Sequence, residues 1–117
     1  MKSSFDTVFI VGPTASGKSA LALRLADVLD AEIICADSQT VRKELNIGTA
    51  KPTAEEQDRV RHHLLDIVGP YDTYSAAQFK ADAEAALRDI HERGKVALVV
   101  GGTGLYIDAV YYDFEFS

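Results

Sequence analysis

The octapeptide GPTASGKS, residues 12–19, lies between the apolar run TVFIV and a segment with helical periodicity. A glycine, four residues and then Gly-Lys-Ser is the pattern of a loop that binds phosphate between a buried strand and a helix. Its glycines let successive backbone N–H groups point inward, and the following helix adds the positive end of its dipole. The stretch therefore predicts a strand over residues 7–11, a helix over residues 18–29 and a phosphate site between them.

Each residue of this loop is a candidate phosphate ligand. Lys18 supplies a flexible positive charge for the terminal phosphates, and the Ser19 hydroxyl can hold a Mg²⁺ that bridges phosphate oxygens. Pro13 stiffens the loop and removes one N–H donor. The predicted phosphate-binding residues are Gly12, Pro13, Thr14, Ala15, Ser16, Gly17, Lys18 and Ser19.

Further short apolar runs alternate with helical segments along the chain. Residues 32–36 and 96–100 are predicted strands, and residues 64–68 are a candidate strand between them. Strands that alternate with helices indicate an α/β fold with a parallel sheet and flanking helices, here a phosphate-loop NTPase-like core. In such sheets ligands bind at the carboxyl ends of the strands.

Capping signals mark two further helices. Thr53 with Glu56 and Ser75 with Gln78 are predicted capping boxes, and Gly94 is predicted to close the second of these helices. The predicted apolar face of that helix is Phe79, Ala83, Ala86, Leu87 and Ile90. The predicted apolar spacing of the helix after the phosphate loop is Leu21, Leu25 and Leu29. Another helix is expected after GGTGLY, through Tyr111.

Composition limits the size and the partners of the protein. A chain of 117 residues, 47% of them hydrophobic, suffices for one small domain. The net charge of −6 excludes a general electrostatic attraction for nucleic acid, although residues 42–63 carry five basic and four acidic side chains. The single cysteine, Cys35, is expected to be buried and reduced. With no signal peptide or membrane span in the sequence, we expect a soluble cytoplasmic protein.

Asp37 is the strongest candidate for a catalytic side chain outside the loop, because it directly follows a predicted strand. It could position Mg²⁺ through water, accept a proton from a nucleophile, or cap the next helix. The hydroxyls and amide of Ser38, Gln39 and Thr40 favour a polar recognition loop.

GGTGLY, residues 101–106, also follows a predicted strand, and its glycines allow a backbone to approach a ligand closely. A tight turn without a ligand is the alternative. No acid follows this strand, whereas a phosphate-loop ATPase would carry a Mg²⁺-ordering aspartate there. His62, His63 and Asp66 lack a metal-ligand spacing, so a solvated or core-edge role is expected for them.

Four motifs in order resemble the tRNA dimethylallyltransferase (isopentenyltransferase) family: GPTASGKS, ADSQTVRKELNIGTAKP, HHLLDI with YSAAQF, and VGGTGLY. The resemblance covers residues 8–106. It implies transfer of a dimethylallyl group from dimethylallyl diphosphate to the N6 amine of an adenosine beside the anticodon of tRNA. The phosphate loop would then hold a diphosphate leaving group with Mg²⁺.

The resemblance also implies roles for individual residues. Asp37 matches the general base of the family, Thr103 matches the threonine of its GGT motif, and Lys18 would stabilise charge on the diphosphate. The implied tRNA-contacting residues are Asp37, Ser38, Gln39, Thr40 and Thr103. The sequence departs from the family pattern around the acceptor loop at Thr40, Arg42, Glu44 and Arg61.

Family members continue into an RNA-embracing helical domain and further sheet elements. We therefore expect residues 1–117 to be the N-terminal portion of a longer transferase, without its tRNA-binding domain, and to transfer little prenyl group alone. Three alternatives remain at this stage: an adenylate isopentenyltransferase, a small phosphate-loop kinase that uses ATP, and a non-catalytic phosphate-binding module. The sequence leaves the oligomeric state open.

Overall fold

A computed structural model describes residues 7–11, 18–36, 52–65, 67–69 and 72–101. Within these ranges the strands are β1 (Thr7–Val11), β2 (Ala31–Cys35), β3 (His62–His63) and β4 (Val96–Gly101). The helices are α1 (Lys18–Leu29), α2 (Ala54–Arg59) and α3 (Ala76–Glu92). The strands form one parallel sheet in the order β1-β4-β2-β3, so the predicted α/β class with flanking helices is confirmed.

The sheet is covered by α1 on one face and by α3 on the other. Alternate residues of β2 divide between the two layers, since side chains of a strand point to opposite faces in turn. Ile33 and Cys35 pack in the α1 layer, whereas Ile34 packs in the α3 layer. Cys35 is 7% exposed, as predicted. β4 is an inner strand of the sheet and lies mostly buried between both layers, which fits its apolar sequence VALVVG.

The predicted apolar face of α1 is wrong, although the predicted bounds of the helix are confirmed. The buried residues of α1 are Ala22, Leu23 and Ala26. Leu21 is 48% exposed and Leu29 is 39% exposed, while Leu25 is partly buried. Alanines at the contact let the helix backbone lie close to the sheet, and this turns the leucine stripe away from the centre of the layer.

The orientation of α1 on the sheet predicts that two leucine-to-alanine substitutions differ strongly in their effect on the free energy of unfolding. Leu23→Ala is expected to lower the free energy of unfolding by about 2–3 kcal/mol, because it removes buried methyl groups and leaves a cavity. Leu21→Ala, the matched control on the exposed side, is expected to cost less than about 1 kcal/mol. Urea denaturation of both variants measures the difference, and equal losses would contradict the orientation of the helix.

The helix α3 begins and ends as predicted. Ser75 and Gln78 form the capping box: each side chain bonds the backbone N–H of the other residue. At the far end Gly94 has a φ of 75°, which glycine adopts without strain. The N–H of Gly94 donates to His91 and that of Lys95 donates to Ile90, the pattern of a Schellman motif. The five predicted core positions of α3 are all buried.

Thr53 and Glu56 form the capping box predicted for α2. The candidate strand at residues 64–68 is wrong: β3 lies earlier, at His62–His63. Leu64 has a φ of 64°, and this left-handed backbone conformation ends the strand where the apolar pattern continues. The predicted helix after GGTGLY lies outside the described residues.

Candidate functional site at the carboxyl edge of the sheet

The chain leaves β1, β4 and β2 at nearly the same level of the sheet. Val11 of β1 is paired with Gly101 of β4, and Cys35 of β2 is paired with Val100. The pairing extends one residue beyond β2, since the Ala36 N–H donates to the Val100 carbonyl at 2.8 Å. Three adjacent strands therefore deliver their following segments to one edge, where parallel α/β sheets bind ligands.

The amino terminus of α1 faces the same edge. Leu29 ends α1 and Ala31 begins β2, so a single residue, Asp30, connects the helix to the amino end of the strand. Its φ of 53° allows this abrupt reversal, which aspartate tolerates better than most residues. Since α1 runs antiparallel to β2, its positive dipole end lies at the carboxyl edge, beside the exit of β1.

Lys18 and Ser19 therefore open a helix whose dipole favours an anion at this edge. The backbone of both residues lies within α1, as the sequence predicted. The rest of the predicted phosphate loop, residues 12–17, lies outside the described residues. Its assignment as a phosphate site stays a prediction.

The remaining predicted site residues also lie outside the described residues: Asp37, Ser38, Gln39, Thr40 and Thr103. Their positions in the chain nevertheless show which strand end each of their segments follows. Asp37 directly follows Ala36 at the end of β2, and Thr103 comes two residues after Gly101 at the end of β4. Because β2 and β4 are neighbours, both segments begin at adjacent positions of the edge.

The opposite, amino edge of the sheet carries an ionic network that the sequence analysis missed. Glu32 of β2 accepts two hydrogen bonds from the Arg93 guanidinium, one of them 2.8 Å long, and lies 2.7 Å from the His63 Nε2. Arg93 also bonds Asp89 at 2.9 Å. The network joins β2, β3 and the end of α3. The signal that could have revealed it is a glutamate within the otherwise apolar run AEIIC.

Pairing lowers the pKa of Glu32 in this network, and burial lowers the pKa of the neighbouring His62. The Arg93 guanidinium, aided by His63, lowers the pKa of Glu32 from 4.5 to about 2, although burial opposes the shift. Burial lowers the pKa of His62, and its Nδ1 lies 2.7 Å from the Val60 carbonyl oxygen. Within the described ranges no group of three His, Cys, Asp or Glu residues is arranged for a metal ion. His62 and His63 are each partly buried at the edge of the sheet, which fits the core-edge role predicted for them, whereas Asp66 lies outside the described residues.

The weakly basic segment, residues 42–63, is described only from residue 52 onward. Arg59 is paired with Asp27 of α1, and this pairing raises the pKa of Arg59. Arg61 is exposed. One of the two described arginines is therefore engaged within the protein, and an RNA-contacting role for the segment stays a prediction.

Comparison with known proteins identifies the family. The family described as IPP transferase matches residues 40–117, which is more than half of the chain. This chain belongs to the IPP transferase family. The resemblance drawn from the four motifs is thereby confirmed.

Curated and solved relatives of this chain support its membership of the IPP transferase family. A tRNA dimethylallyltransferase of Staphylococcus aureus strain JH9 is 55% identical over 108 residues, which are 92% of this chain and 35% of the relative. The solved tRNA isopentenylpyrophosphate transferase of Bacillus halodurans has a TM-score of 0.88 at 46% identity, over 97% of this chain and 38% of that one.

A second solved neighbour is a eukaryotic dimethylallyltransferase described as acting on tRNA, with a TM-score of 0.80 at 36% identity. The match covers 88% of this chain and 26% of the chain of that neighbour. The chain thus spans about a third of the length of the curated relatives it matches. None of the described helices is long and apolar enough to cross a membrane.

Proposed function

We propose that this chain forms the diphosphate-holding core of a tRNA dimethylallyltransferase. The enzyme would transfer a dimethylallyl group from dimethylallyl diphosphate to the N6 amine of an adenosine next to the anticodon of tRNA. The observation that carries the proposal is the convergence of three strand ends and the α1 amino terminus at one sheet edge. The names of the relatives, all of them transferases of this kind, support the choice of substrates.

In the proposed reaction the bond between C1 of the dimethylallyl group and the diphosphate oxygen breaks, and the bonding electrons leave with the diphosphate. A bond forms between C1 and the adenosine N6. The N6 amine loses one proton to the carboxylate of Asp37, the second residue after β2 in the sequence. The thiol of Cys35 takes no part, because it is buried in the α1 layer.

The phosphate loop and the amino end of α1 would stabilise the negative charge that develops on the departing diphosphate. Backbone N–H groups held by the fold need no reorganisation during the reaction, and this is the main source of electrostatic catalysis. Lys18 would add a positive charge, and Thr103 would lie near the acceptor adenosine. Ser38, Gln39 and Thr40 would contact the tRNA beside Asp37.

Mg²⁺ fits this arrangement, because Ser19 lies in the first turn of α1 at the phosphate-loop edge. Its hydroxyl is the kind of oxygen ligand that Mg²⁺ accepts beside phosphate oxygens. When bound, the ion would neutralise charge on the diphosphate. The other ligands would come from the diphosphate and water, since Mg²⁺ commonly keeps several waters.

A chimera provides the direct test of this function. Residues 1–117 would replace the matched third of the Staphylococcus aureus relative, which supplies the remaining two thirds of a transferase. We expect the chimera to transfer labelled dimethylallyl groups to tRNA and not to AMP. The 117-residue chain alone is expected to bind dimethylallyl diphosphate. It is expected to transfer the dimethylallyl group at least about 10²-fold more slowly than the chimera, because it lacks most of the relative's length.

The unmodified relative serves as the positive control, and ATP replaces dimethylallyl diphosphate in a parallel assay. A chimera that folds and transfers no prenyl group to tRNA would contradict the proposal. Phosphoryl transfer from ATP would favour a kinase instead, and preference for AMP over tRNA would favour an adenylate isopentenyltransferase. Robust transfer by the 117-residue chain alone would show that this core suffices.

A further inference from the structure

The end of β4 lies so close to the end of β2 that no side chain fits between them. A Cβ on Gly101 would overlap the carbonyl oxygen of Ala36 and would lie 2.8 Å from its carbonyl carbon and 3.1 Å from its Cβ. The first two of these atoms belong to the backbone, so no side-chain rotation could relieve the overlap. Both residues are buried.

Space, and not backbone conformation, requires glycine at this position. Gly94 is the glycine with a positive φ among the described residues, and an added Cβ there meets no atom within 4 Å. Gly101 has the reverse properties: its backbone is that of a paired strand, and its surroundings are full. An alanine would therefore meet conformational strain at Gly94 and steric overlap at Gly101.

The overlap would act on the β2 side of β4. The Ala36 N–H donates to the Val100 carbonyl at 2.8 Å, so the end of β2 is bound to β4 immediately beside Gly101. β1 pairs with the other edge of β4. A larger residue at position 101 would therefore push Ala36 away and leave the exit of β1 nearly in place.

We propose that Gly101 is a positioning residue for the transfer reaction: its missing side chain sets the separation between the segment that carries Asp37 and the segment that carries Thr103. This inference rests on the proposed function. Asp37 is bonded directly to Ala36, so a displacement of Ala36 would shift the start of the segment that carries the proposed base. A misplacement of about 1 Å can lower a rate by about 10²-fold.

The test compares Gly101→Ala with the matched control Gly94→Ala. Both replace a glycine by alanine, but Gly94 lies after α3 at the amino edge, where the penalty is the strain of a positive φ. Transfer to tRNA is measured in the chimera. Binding of dimethylallyl diphosphate and the amide spectrum are measured in the 117-residue chain.

Gly101→Ala is expected to lower kcat by about 10²-fold, to leave the Kd for dimethylallyl diphosphate within about twofold, and to shift the Ala36 amide resonance. Gly94→Ala is expected to leave kcat unchanged. Equal kcat in the two variants, or an unmoved Ala36 resonance, would overturn the inference. Equal loss of diphosphate binding and kcat would also overturn it, because it would indicate a general structural role.

Ala36→Gly keeps the inference testable if Gly101→Ala does not fold. It acts on the same contact from the β2 side, by removing the Ala36 Cβ and loosening the backbone before Asp37. We expect kcat to fall at least about fivefold without loss of diphosphate binding, whereas an unchanged kcat would overturn the inference. An inactive wild-type chimera would contradict the proposed function, while the Ala36 resonance would still test the steric contact.

Discussion

Asp37→Ala is expected to lower the rate of prenyl transfer to tRNA by about 10²–10⁴-fold, the contribution of a positioned general base. The N6 amine of adenosine must lose a proton when its bond to carbon forms, and Asp37 is the acid that follows Ala36, the residue after β2, in the sequence. Binding of dimethylallyl diphosphate should stay within about twofold, because the phosphate loop follows a different strand. Single-turnover assays in the chimera separate the transfer step from binding.

Two variants sharpen this prediction. Asp37→Asn keeps the size of the side chain but removes its basicity, so its loss should be similar to that of Asp37→Ala. Asp58→Asn changes an exposed aspartate of α2 and is the control that should retain the full rate. If Asp37→Ala retained the wild-type rate, Asp37 would not be the base.

Glu32→Gln is expected to lower the free energy of unfolding by about 3 kcal/mol at pH 7, and by much less near pH 2. The shift of the Glu32 pKa from 4.5 to about 2 corresponds to a stabilisation of this size, since one pKa unit equals about 1.4 kcal/mol. Glu32 is 5% exposed and bonds Arg93 and His63, so solvent screens these contacts weakly. The loss would include the cost of leaving Arg93 without its buried partner.

The pH dependence follows from the sign of the shift. Because the folded protein lowers the pKa of Glu32, this stabilisation is fully present above about pH 4.5 and is lost as the pH falls towards 2. Urea denaturation between pH 7 and pH 2.5 should therefore show a steeper decline in the wild type than in Glu32→Gln. The exposed Glu92 provides the control variant Glu92→Gln, which should keep the wild-type slope. Parallel slopes for all three proteins would contradict the stabilising role of Glu32.

Local signals made several parts of the fold predictable. The bounds of β1 and α1 follow from the apolar run, the loop pattern and the helical periodicity, which all lie within 23 consecutive residues of sequence, 7–29. Both capping boxes were predictable because each depends on two residues three apart. The Schellman end of α3 was predictable because glycine is the residue that takes a positive φ without strain.

The errors arose where distant residues decide the outcome. The leucine spacing of α1 gave no indication that the sheet would contact the alanine side, because that depends on how closely the helix approaches β2 and β4. The apolar run at residues 64–68 predicts a strand, whereas the left-handed conformation of Leu64 ends β3 before this run. Glu32 was missed because its partners His63 and Arg93 lie 31 and 61 residues away.

By itself, then, the sequence determined the family, the α/β class and the chemical types available for catalysis, since motifs and periodicity are properties of short segments. Only the tertiary structure decided the strand order, which sets the ends of β1, β4 and β2 side by side. It also decided which face of α1 is buried and that Gly101 must lack a side chain. These features depend on non-local packing and on distances between backbones, and no short segment encodes them. The pattern of residues 12–19 predicts a phosphate ligand, while the strand order places the end of β2, which precedes Asp37 in the sequence, at the same edge as the end of β1.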